Sequence, residues 1–400
     1  MQNIQSIADG ILYVGASDRR IAKFENLFPI PRGVSYNSYV ILDEKTALMD
    51  TCEMSMGGQF LENVTAALNG RALDYLVIDH MEPDHASMID AVLLRWPDAQ
   101  LVCNAKTVAM LRMYFPGHED KIASALLVKE GDTLTLGRHT LQFIMAPMVH
   151  WPEVMMAYET STGTLFTADA FGTFGALGGS IFADEVNFAE DWLDDARRYY
   201  TNIVGKYGAQ VQAVLKKAAA LDLHILAPLH GPIWRKDLDW YIGKYDLWSR
   251  CVPEEKSVAV LYGSLYGNTA SAAEALAARI AAKNIPVRVF DLSCIDNSEA
   301  VAECWRACTI VLASPTYNGG LYLPVEALLN DLKALGLHDR TFALMENGSW
   351  APQAARLMTA KIEELKNCTV LEQKVTIRGR LTAAQQAELD AEAEAVAAAL

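Results

Sequence analysis

The stretch VIDHMEPDHAS, residues 77–87, carries more chemistry than any other part of this sequence. Within six positions it holds four side chains able to bind a metal ion, namely His80, Glu82, Asp84 and His85. The apolar run at 75–78 predicts a buried strand just before them. Ligand sites in open α/β sheets lie beyond the carboxyl ends of strands. We therefore expect these side chains to lie at the end of a strand and to bind a metal ion there.

Three isolated residues downstream also follow predicted strands. They are His150 in PMVHWP, Asp169 in FTADAFG and His230 in PLHGP. With the first cluster they make four histidines and three carboxylates, which are too many for one ion and suit two ions that share a carboxylate. The other histidines, which have no such context and are expected to be structural or superficial, are His118, His139, His224 and His338.

The ligand types narrow the identity of the metal without settling it. Imidazole suits zinc, iron and copper, whereas added carboxylates favour harder ions and tolerate an iron that changes its oxidation state. No cysteine lies near these residues in the sequence, which removes the usual soft ligand. A zinc pair would hydrolyse a substrate and an iron pair could also pass electrons, so both alternatives stay open at this point.

Composition limits the class of protein. The chain has 400 residues, enough for two domains, and its 52% hydrophobic and 21% charged residues are typical of a globular protein. A formal charge of −15 argues against a nucleic-acid partner or an anionic membrane surface. The sequence shows no apolar run long enough to span a membrane and no secretory signal in MQNIQSIADG. Seven scattered cysteines without a Cys-x-x-Cys pair favour reduced thiols and a cytoplasmic location.

A change of pattern divides the chain into two parts. The first part is strand-rich, with hairpins predicted at 36–51, 133–147 and 154–169. In RCVPEEKSVAVLYG (250–263), Pro253 and the charges after it suggest a linker, so the expected domains are 1–252 and 256–400. In the second part helical stretches alternate with predicted strands, which predicts a doubly wound, parallel five-stranded sheet. These strands lie near 257–262, 286–291, 308–313, 341–345 and 369–378.

Three loops of the second part have the composition of a flavin site. SLYGNT (264–269) follows the first predicted strand and opens a helix, where backbone N–H groups and hydroxyls can hold a phosphate. No Gly-x-Gly-x-x-Gly is present there, so a dinucleotide is less expected. SPTYNGG (314–320) and ENGSWAP (346–352) follow later strands, and Tyr317 and Trp350 beside their glycines suit a flat ring. At one edge of one sheet, the three loops predict a mononucleotide flavin.

Two motifs together resemble a known family. HMEPDH resembles the zinc motif His-x-His-x-Asp-His of the metallo-β-lactamase fold, with Glu82 in place of the second histidine. SLYGNT resembles the flavodoxin phosphate loop, Thr/Ser-x-x-Gly-Asn-Thr. Their fusion in this order, over essentially the whole chain, is similar to the flavodiiron proteins, also called A-type flavoproteins. The resemblance implies an α/β protein with an N-terminal metallo-β-lactamase-like αββα sandwich and a C-terminal flavodoxin-like sheet.

The resemblance also implies a role for each candidate residue. One iron would be held by His80, Glu82 and His150, and the other by Asp84, His85 and His230, with Asp169 as the bridge. Whether His85 binds iron directly is left open. The phosphate of FMN would contact Ser264, Leu265, Tyr266, Gly267, Asn268 and Thr269. The flavin ring would lie between Pro315, Thr316, Tyr317, Asn318 and Gly319 on one side and Gly348, Ser349, Trp350 and Ala351 on the other.

The activity that the resemblance implies is reduction of dioxygen to water, of nitric oxide to nitrous oxide, or of both, at a non-haem di-iron site. Electrons would pass through FMN from an external donor such as rubredoxin. A head-to-tail homodimer, or a dimer of dimers, would bring each FMN to the partner's di-iron site. Two alternatives stand beside this function. One is a di-zinc hydrolase of the metallo-β-lactamase fold with an accessory flavodoxin module, and the other is a flavodoxin-type electron carrier with a vestigial metal domain.

The chain departs from the family pattern near its N-terminus. Many members carry Asp-Trp-Asn and Phe-His-Gly there, whereas this chain reads SDRRIAKFENLFPIPRG (17–33). Any role of that histidine near the metal pocket is therefore missing or filled differently. Because no Cys-x-x-Cys is present, no fused rubredoxin is expected. Tyr199 and Tyr200 could bring a phenol near the irons, although core packing is the stronger expectation.

Overall fold

The structure, a computed structural model, describes residues 2–400. These residues form two compact units. The first comprises the residues up to Tyr200 together with Ala209–Asp246, and the second comprises Thr201–Gly208 together with Leu247–Leu400. The domain limits expected from the sequence, 1–252 and 256–400, stay a prediction. Within residues 2–400, no helix is both long enough and apolar enough to cross a membrane.

The first unit is built from short strands with helices between them. Its strands are β1 (Gln5–Ala8), β2 (Ile11–Tyr13), β3 (Ala16–Asp18), β4 (Lys23–Phe24), β5 (Phe28–Pro29), β6 (Val34–Tyr36), β7 (Tyr39–Leu42), β8 (Thr46–Met49), β9 (Tyr75–Val77), β10 (Gln100–Cys103), β11 (Leu126–Leu127), β12 (Thr133–Thr135), β13 (Thr140–Met145), β14 (Met155–Glu159), β15 (Thr164–Phe166) and β16 (Ile225–Ala227). Its helices are α1 (Gly57–Leu68), α2 (Pro83–Ala86), α3 (Ile89–Arg95), α4 (Ala105–Tyr114), α5 (Glu119–Ala123), α6 (Phe188–Asp191), α7 (Leu193–Tyr199) and α8 (Gly208–Ala218), and α9 (Leu238–Ser249) leads into the second unit.

Two mixed sheets form the core of the first unit. One has the strand order β1-β2-β7-β8-β9-β10-β11 and the other β12-β13-β14-β15-β16, while β3 pairs with β6 and β4 with β5 in separate ribbons. Every residue of β8 and β14 is buried, because both faces of these strands are covered. Tyr39 of β7 and Phe166 of β15 lie 5.3 Å apart between ring centroids, so the two sheets face each other. This arrangement confirms the predicted α/β sandwich.

The hairpins predicted from alternating residues are present. β7 pairs antiparallel with β8, β12 with β13 and β14 with β15. The parallel pairs β8–β9, β9–β10 and β15–β16 connect strands that are distant in the sequence. Because parallel strands end on the same side, the connections that follow β9, β15 and β16 can approach one another.

The second unit is a parallel sheet covered by helices. Its strands are β17 (Glu255–Tyr262), β18 (Val287–Asp291), β19 (Ala307–Tyr317), β20 (Gly320–Leu321), β21 (Thr341–Asn347) and β22 (Thr369–Ile377). Its helices are α10 (Asn268–Ala281), α11 (Asn297–Arg306), α12 (Leu323–Leu335), α13 (Ala354–Ile362) and α14 (Gln386–Ala398).

The order of the strands in this sheet marks where a ligand can bind. The order is β18-β17-β19-β21-β22 with all of these pairs parallel, and the short β20 pairs antiparallel with β19. The chain reverses its direction of travel across the sheet at β17, so a crevice opens outside the carboxyl ends of β17 and β19. The predicted doubly wound sheet is confirmed.

Candidate metal centre and flavin pocket

Connections that follow buried strands present the candidate metal ligands. His80 and Glu82 lie in the segment after β9, and α2 begins directly afterwards at Pro83. Proline suits a first helical turn, because no backbone N–H is needed there. Asp84 and His85 lie within α2. Four candidate ligands therefore follow one strand.

The remaining three ligands come from other connections of the same unit. His150 lies between β13 and β14, Asp169 follows β15 and His230 follows β16. Gly231 has a φ of +77°, and a Cβ at this position would lie 2.1 Å from Thr173 Cγ2. Only glycine allows the chain to turn here directly after His230.

Four of the predicted ligands form a first group. They are His80, Glu82, His150 and Asp169, and their ligand atoms all lie within 4.8 Å of one another. His150 Nε2 lies 3.0 Å from Glu82 Oε2 and 3.0 Å from Asp169 Oδ2. His80 Nε2 lies 3.3 Å from each of the same two oxygens. None of the four residues is more than 8% exposed.

The other three ligands form a second group beside the first. They are Asp84, His85 and His230. The Nε2 atoms of His85 and His230 lie 3.0 Å apart, and they lie 3.4 and 3.3 Å from Asp84 Oδ2. Asp169 Oδ1 lies 3.1 Å from His85 Nε2 and 3.5 Å from His230 Nε2. Asp169 thus directs one carboxylate oxygen to each group.

Unsatisfied polar atoms indicate that cations belong in this centre. Both carboxylate oxygens of Asp84 and Oδ1 of Asp169 are buried without a hydrogen-bond partner within residues 2–400. The Nε2 atoms of His85 and His230 are directed at the same small space. Buried polar atoms normally have partners, and an ion explains such an exception. The residues present therefore fit two metal ions.

The pKa values of the candidate ligands also indicate that this centre favours positive charge. Burial lowers the pKa of His150, but hydrogen bonds with Asp169 and Glu82 outweigh this effect and raise it to about 9. Burial acts to raise the pKa of Asp169, yet His80 and His85 hold it well below its usual range. The carboxylates therefore stay ionised and require neighbouring cations.

Partners behind the ligands fix their orientation, and no sequence pattern indicates them. Glu153 Oε1 lies 2.9 Å from His80 Nδ1. His230 Nδ1 donates to the backbone carbonyl of Ser35 at 2.7 Å. Such bonds fix the tautomer of an imidazole and leave its Nε2 free for metal. For Glu153, the sequence shows only an acidic residue three positions after His150, which does not indicate a contact with His80.

Aromatic side chains cover the second group. The rings of Phe24 and Tyr199 have centroids 5.3 and 5.5 Å from that of His230. Tyr199 and Tyr200 are fully buried, in agreement with the packing expected of them. The hydroxyl of Tyr199 has no hydrogen-bond partner within the described part of the chain. Burial first, and then the charge of Asp169, raises the pKa of Tyr199 well above its usual value, so the phenol is neutral.

One acidic residue outside the predicted set reaches the first group. Glu82, His150 and Asp84 are charged neighbours of Glu25. Lost hydration first, and then Glu82, raises the pKa of Glu25 to about 8. Glu25 lies in the segment 17–33, where the chain departs from the family pattern. The sequence marked this departure but not the side chain that reaches the site.

In the second unit, three loops, together with Gly379 after β22, line a cavity of about 470 Å³. The loops follow β17, β19 and β21 at the carboxyl edge of the sheet. The volume lies in the range of small-molecule and cofactor sites, so the cavity fits a mononucleotide. The lining residues are Ser264, Leu265, Tyr266, Asn268, Thr269, Pro315, Thr316, Asn318, Gly319, Asn347, Gly348, Ser349, Trp350, Ala351, Gln353 and Gly379.

One end of this cavity is built to hold an anion. α10 begins at Asn268, directly after Gly267, which has a φ of 86°. This left-handed conformation favours glycine. The backbone N–H of Gly267 donates to Ser264 Oγ at 3.1 Å, which closes the turn. The first N–H groups of a helix have no partner within the helix and carry partial positive charge, so this end fits a phosphate.

The lining of the cavity differs slightly from the predicted set. Gly267 shapes the turn without lining the cavity, and Tyr317 packs against Tyr322 with 6.0 Å between ring centroids. Three residues outside the predicted set also line it, namely Asn347, Gln353 and Gly379. Gly379 follows the last strand of the sheet, and the sequence around it shows no motif that predicts a place in the flavin cavity.

Comparison with known proteins finds similarity over both units. The family model described as ODP family beta lactamase matches residues 34–231, and the Flavodoxin model matches residues 260–397. A nitric oxide reductase of Moorella thermoacetica is 31% identical over 376 residues, which cover 93% of each chain.

Solved structures share the architecture of nearly the whole chain. A flavodiiron protein from Giardia intestinalis has a TM-score of 0.92 and 26% identity, with 99% of this chain and 96% of that chain covered. A rubredoxin oxygen:oxidoreductase from Desulfovibrio gigas has a TM-score of 0.90 and 25% identity, with 99% and 98% covered.

Proposed function

Because this chain belongs to the flavodiiron proteins, we propose that it reduces nitric oxide, dioxygen or both at a non-haem di-iron centre. It is an oxidoreductase that depends on FMN and on a di-iron site. The observation that carries the proposal is Asp169, which directs one oxygen to each ligand group. The names of the relatives, a nitric oxide reductase and a rubredoxin oxygen:oxidoreductase, support both gases.

The proposed ligand assignment follows the two groups. His80, Glu82 and His150 would hold one iron, Asp84, His85 and His230 the other, and Asp169 would bind both. The short distances among the ligand atoms support it. Glu82 adds an oxygen donor to two imidazoles, and such mixed sites tolerate iron in more than one oxidation state.

When bound, the irons and FMN would supply electrons to the gas. The chain positions this chemistry in three ways. Asp169 holds the two groups together, while Glu153 and the carbonyl of Ser35 keep the imidazoles turned so that each presents Nε2. Phe24 and the buried Tyr199 exclude water from one side of the centre.

For FMN, we propose that the N-terminus of α10 holds the phosphate. Thr269, within the first turn of this helix, and Ser264, before it, supply hydroxyls at the cavity. The loops 314–320 and 346–352 would enclose the flavin ring. Trp350 lines the cavity and is 84% exposed, so it offers a large apolar face for a ring to cover.

We further propose an external electron donor of the rubredoxin type and a head-to-tail homodimer, with a dimer of dimers as the alternative assembly. In such a dimer the FMN of one protomer faces the partner's di-iron centre. Large apolar side chains exposed at or near the flavin cavity support a docking role, since such patches mark interaction sites. They are Leu265, Tyr266 and Trp350, which line the cavity, and Tyr317 in one of its loops. A cytoplasmic location, without a nucleic-acid or membrane partner, completes the proposal.

The competing function is a di-zinc hydrolase with an accessory flavodoxin module. It is not favoured, because relatives that match nearly the whole chain are named as a reductase and an oxidoreductase. A flavodoxin-type electron carrier with a vestigial metal domain is disfavoured by the converging ligands, since a vestigial site has no reason to keep orphaned buried carboxylates.

Metal analysis, a flavin spectrum and anaerobic stopped-flow mixing of the fully reduced protein with each gas test the proposal. We expect about two irons and about one FMN per chain, with oxidation of the protein by at least one gas. A pair of zinc ions with phosphodiesterase or lactonase activity, and no gas consumption, would establish the hydrolase instead.

A further inference from the structure

The loop 314–320 of the flavin cavity contains a tight hairpin turn. Tyr317 of β19 pairs with Gly320 of β20, and Asn318 and Gly319 form the tip between them. The tip residues have φ values of 50° and 74°, and the common Asn-Gly turn of β-hairpins needs a positive φ at both positions. Within residues 2–400, β20 pairs only with β19, so the main sheet does not hold the hairpin tip.

The loop 346–352 on the other side of the cavity leads directly into Gln353. A Cβ at Gly348 would lie 2.8 Å from Pro352 Cα, so this loop folds closely back on itself. α13 then begins at Ala354. Residues of both loops line the cavity, and Gln353 lines it too. Gln353 therefore lies where the second loop joins a helix.

Gln353 links the two loops through two hydrogen bonds. Its backbone N–H donates to Thr316 Oγ1 at 2.9 Å. Its side-chain Nε2 donates to the carbonyl oxygen of Gly319 at 2.8 Å. One residue thus contacts the first loop both near the end of β19 and at the hairpin tip.

The side-chain amide of Gln353 is itself held in place. Arg356, three positions later in α13, donates from Nη2 to Gln353 Oε1 at 2.8 Å. Groups of the protein therefore occupy both ends of the amide. A side chain that is already ordered costs a ligand less on binding than one that the ligand must immobilise.

We propose that Gln353 is a positioning residue for the flavin ring. It connects Thr316 and Gly319 to the start of α13 and so keeps the loops 314–320 and 346–352 at a separation that accepts a flat ring. Preorganised walls of this kind increase affinity, because less of the protein has to be ordered on binding. The inference rests on the proposed function in that FMN occupies the cavity with its ring between these loops.

Two variants separate the hydrogen bonds of the Gln353 side chain from its bulk. Gln353→Ala removes the amide and most of the side chain, whereas Gln353→Met keeps a flexible side chain of similar length without the amide. Gln373→Ala is the matched control, because Gln373 lies in β22 of the same unit and does not line the cavity. Ser264→Ala perturbs the other end of the cavity, where Ser264 Oγ accepts a hydrogen bond from the backbone of Gly267.

The readout is the Kd of the full-length protein, freed of flavin, for FMN and for riboflavin, which has the same ring and no phosphate. Fluorescence titration measures both values, with thermal unfolding as a check on folding. We expect both Kd values to rise about fivefold in Gln353→Ala and in Gln353→Met, as the loss of a hydrogen bond suggests, while the ratio of the two values stays the same. In Ser264→Ala only the Kd for FMN should rise, and Gln373→Ala should match the parent.

Four results would overturn the positioning role. The first is a pair of parental Kd values in Gln353→Ala. The second is parental values in Gln353→Met with raised values in Gln353→Ala, which would assign the effect to the bulk of the side chain. The third is a rise confined to FMN in the Gln353 variants, which would place the effect at the phosphate. The fourth is an equal rise in Gln373→Ala.

These measurements do not depend on gas reduction. A protein that binds FMN and consumes neither gas would contradict the proposed function, and the Kd values would still test Gln353. Iron, FMN and gas consumption as proposed, with parental Kd values in both Gln353 variants, would overturn the positioning role alone.

Discussion

The two cofactor sites of this chain are built in opposite ways. At the metal centre, charged side chains form the site, and residues such as His80 and Asp169 are at most 1% exposed. At the flavin cavity, turns and neutral side chains form the wall, and Tyr266 and Trp350 are 93% and 84% exposed. Removing one member of a buried charged cluster leaves the others uncompensated, whereas a wall of backbone groups survives the loss of one side chain. The two sites should therefore respond very differently to single substitutions.

The largest effect is expected from Asp169→Ala. The substitution removes the residue that directs one carboxylate oxygen to each ligand group, and it leaves buried imidazoles and carboxylates without their common partner. Breaking such a cluster costs about 3–5 kcal/mol, so we expect nearly complete loss of metal and of gas reduction with FMN retained. Metal analysis and the flavin spectrum measure this.

Asp222→Ala is the matched control for that substitution. The Asp222 side chain is 92% exposed and pairs only with His224 among the ion pairs described. Full metal content in Asp169→Ala would contradict the expected difference between the two cofactor sites, because the metal centre would then tolerate the loss of its shared ligand.

A smaller effect is expected from Trp350→Ala in the flavin cavity. The substitution removes an aromatic face and leaves the loops and the N-terminus of α10 intact. We expect the Kd for FMN to rise about tenfold, equivalent to about 1.4 kcal/mol, with metal content unchanged. Fluorescence titration of the FMN-free protein measures it, with Trp240→Ala in the first unit as the control. Abolished FMN binding would show that this site also depends on a single side chain.

In the second unit, one buried carboxyl group should make folding depend on pH. Glu392 in α14 is fully buried, and burial raises its pKa to about 8. In the unfolded chain this group ionises near its ordinary value of 4.5, so between these pH values unfolding releases a proton and the free energy of unfolding falls as pH rises.

Glu392→Gln cannot ionise and should remove this pH dependence. We expect the parent to lose about 2 kcal/mol relative to the variant between pH 5 and pH 8, a value reduced from about 1.4 kcal/mol per unit of pKa shift to allow for relaxation. Denaturant unfolding at several pH values, followed through FMN fluorescence, gives the two curves. If the free energies of unfolding of the parent and of Glu392→Gln change with pH in parallel, Glu392 does not cause the pH dependence.

The smallest effect is expected from Tyr199→Phe. The substitution removes a buried hydroxyl that has no partner within residues 2–400, so its loss should change the free energy of unfolding by less than about 1 kcal/mol and leave the metal in place. Tyr39→Phe is the control, because the Tyr39 hydroxyl donates to Pro228 O at 2.7 Å and its loss should cost about 1–3 kcal/mol. Loss of metal in Tyr199→Phe would mean that the phenol supports the ligands directly.

The sequence predicted the metal centre well because its chemistry resides in residue types. HMEPDH and three further residues at strand ends predict seven candidate ligands, and the structure brings these seven residues together in two groups that could each hold a metal ion. The partners of these ligands were not predictable. Ser35 acts through its backbone carbonyl, which every residue has, and Glu153 reaches His80 only through a tertiary contact.

The local parts of the fold could be predicted from the sequence, whereas the parts that depend on tertiary contacts could not. Alternating residues indicated the hairpins of the first unit, which are local structures. The strand order of the parallel sheet was not predicted, since helical and strand patterns do not say which strands are neighbours. The grouping of Thr201–Gly208 with the second unit depends on tertiary contacts and has no local signal. Gly379 reaches the flavin cavity in the same way.

The proposed function depends above all on two irons with Asp169 between them. Crystallography of the native protein with anomalous diffraction at the iron edge tests it most directly. We expect two iron peaks about 3.5–4 Å apart, with Asp169 between them, one beside His80 and the other beside His230. A single peak, or peaks that appear only at the zinc edge, would contradict it.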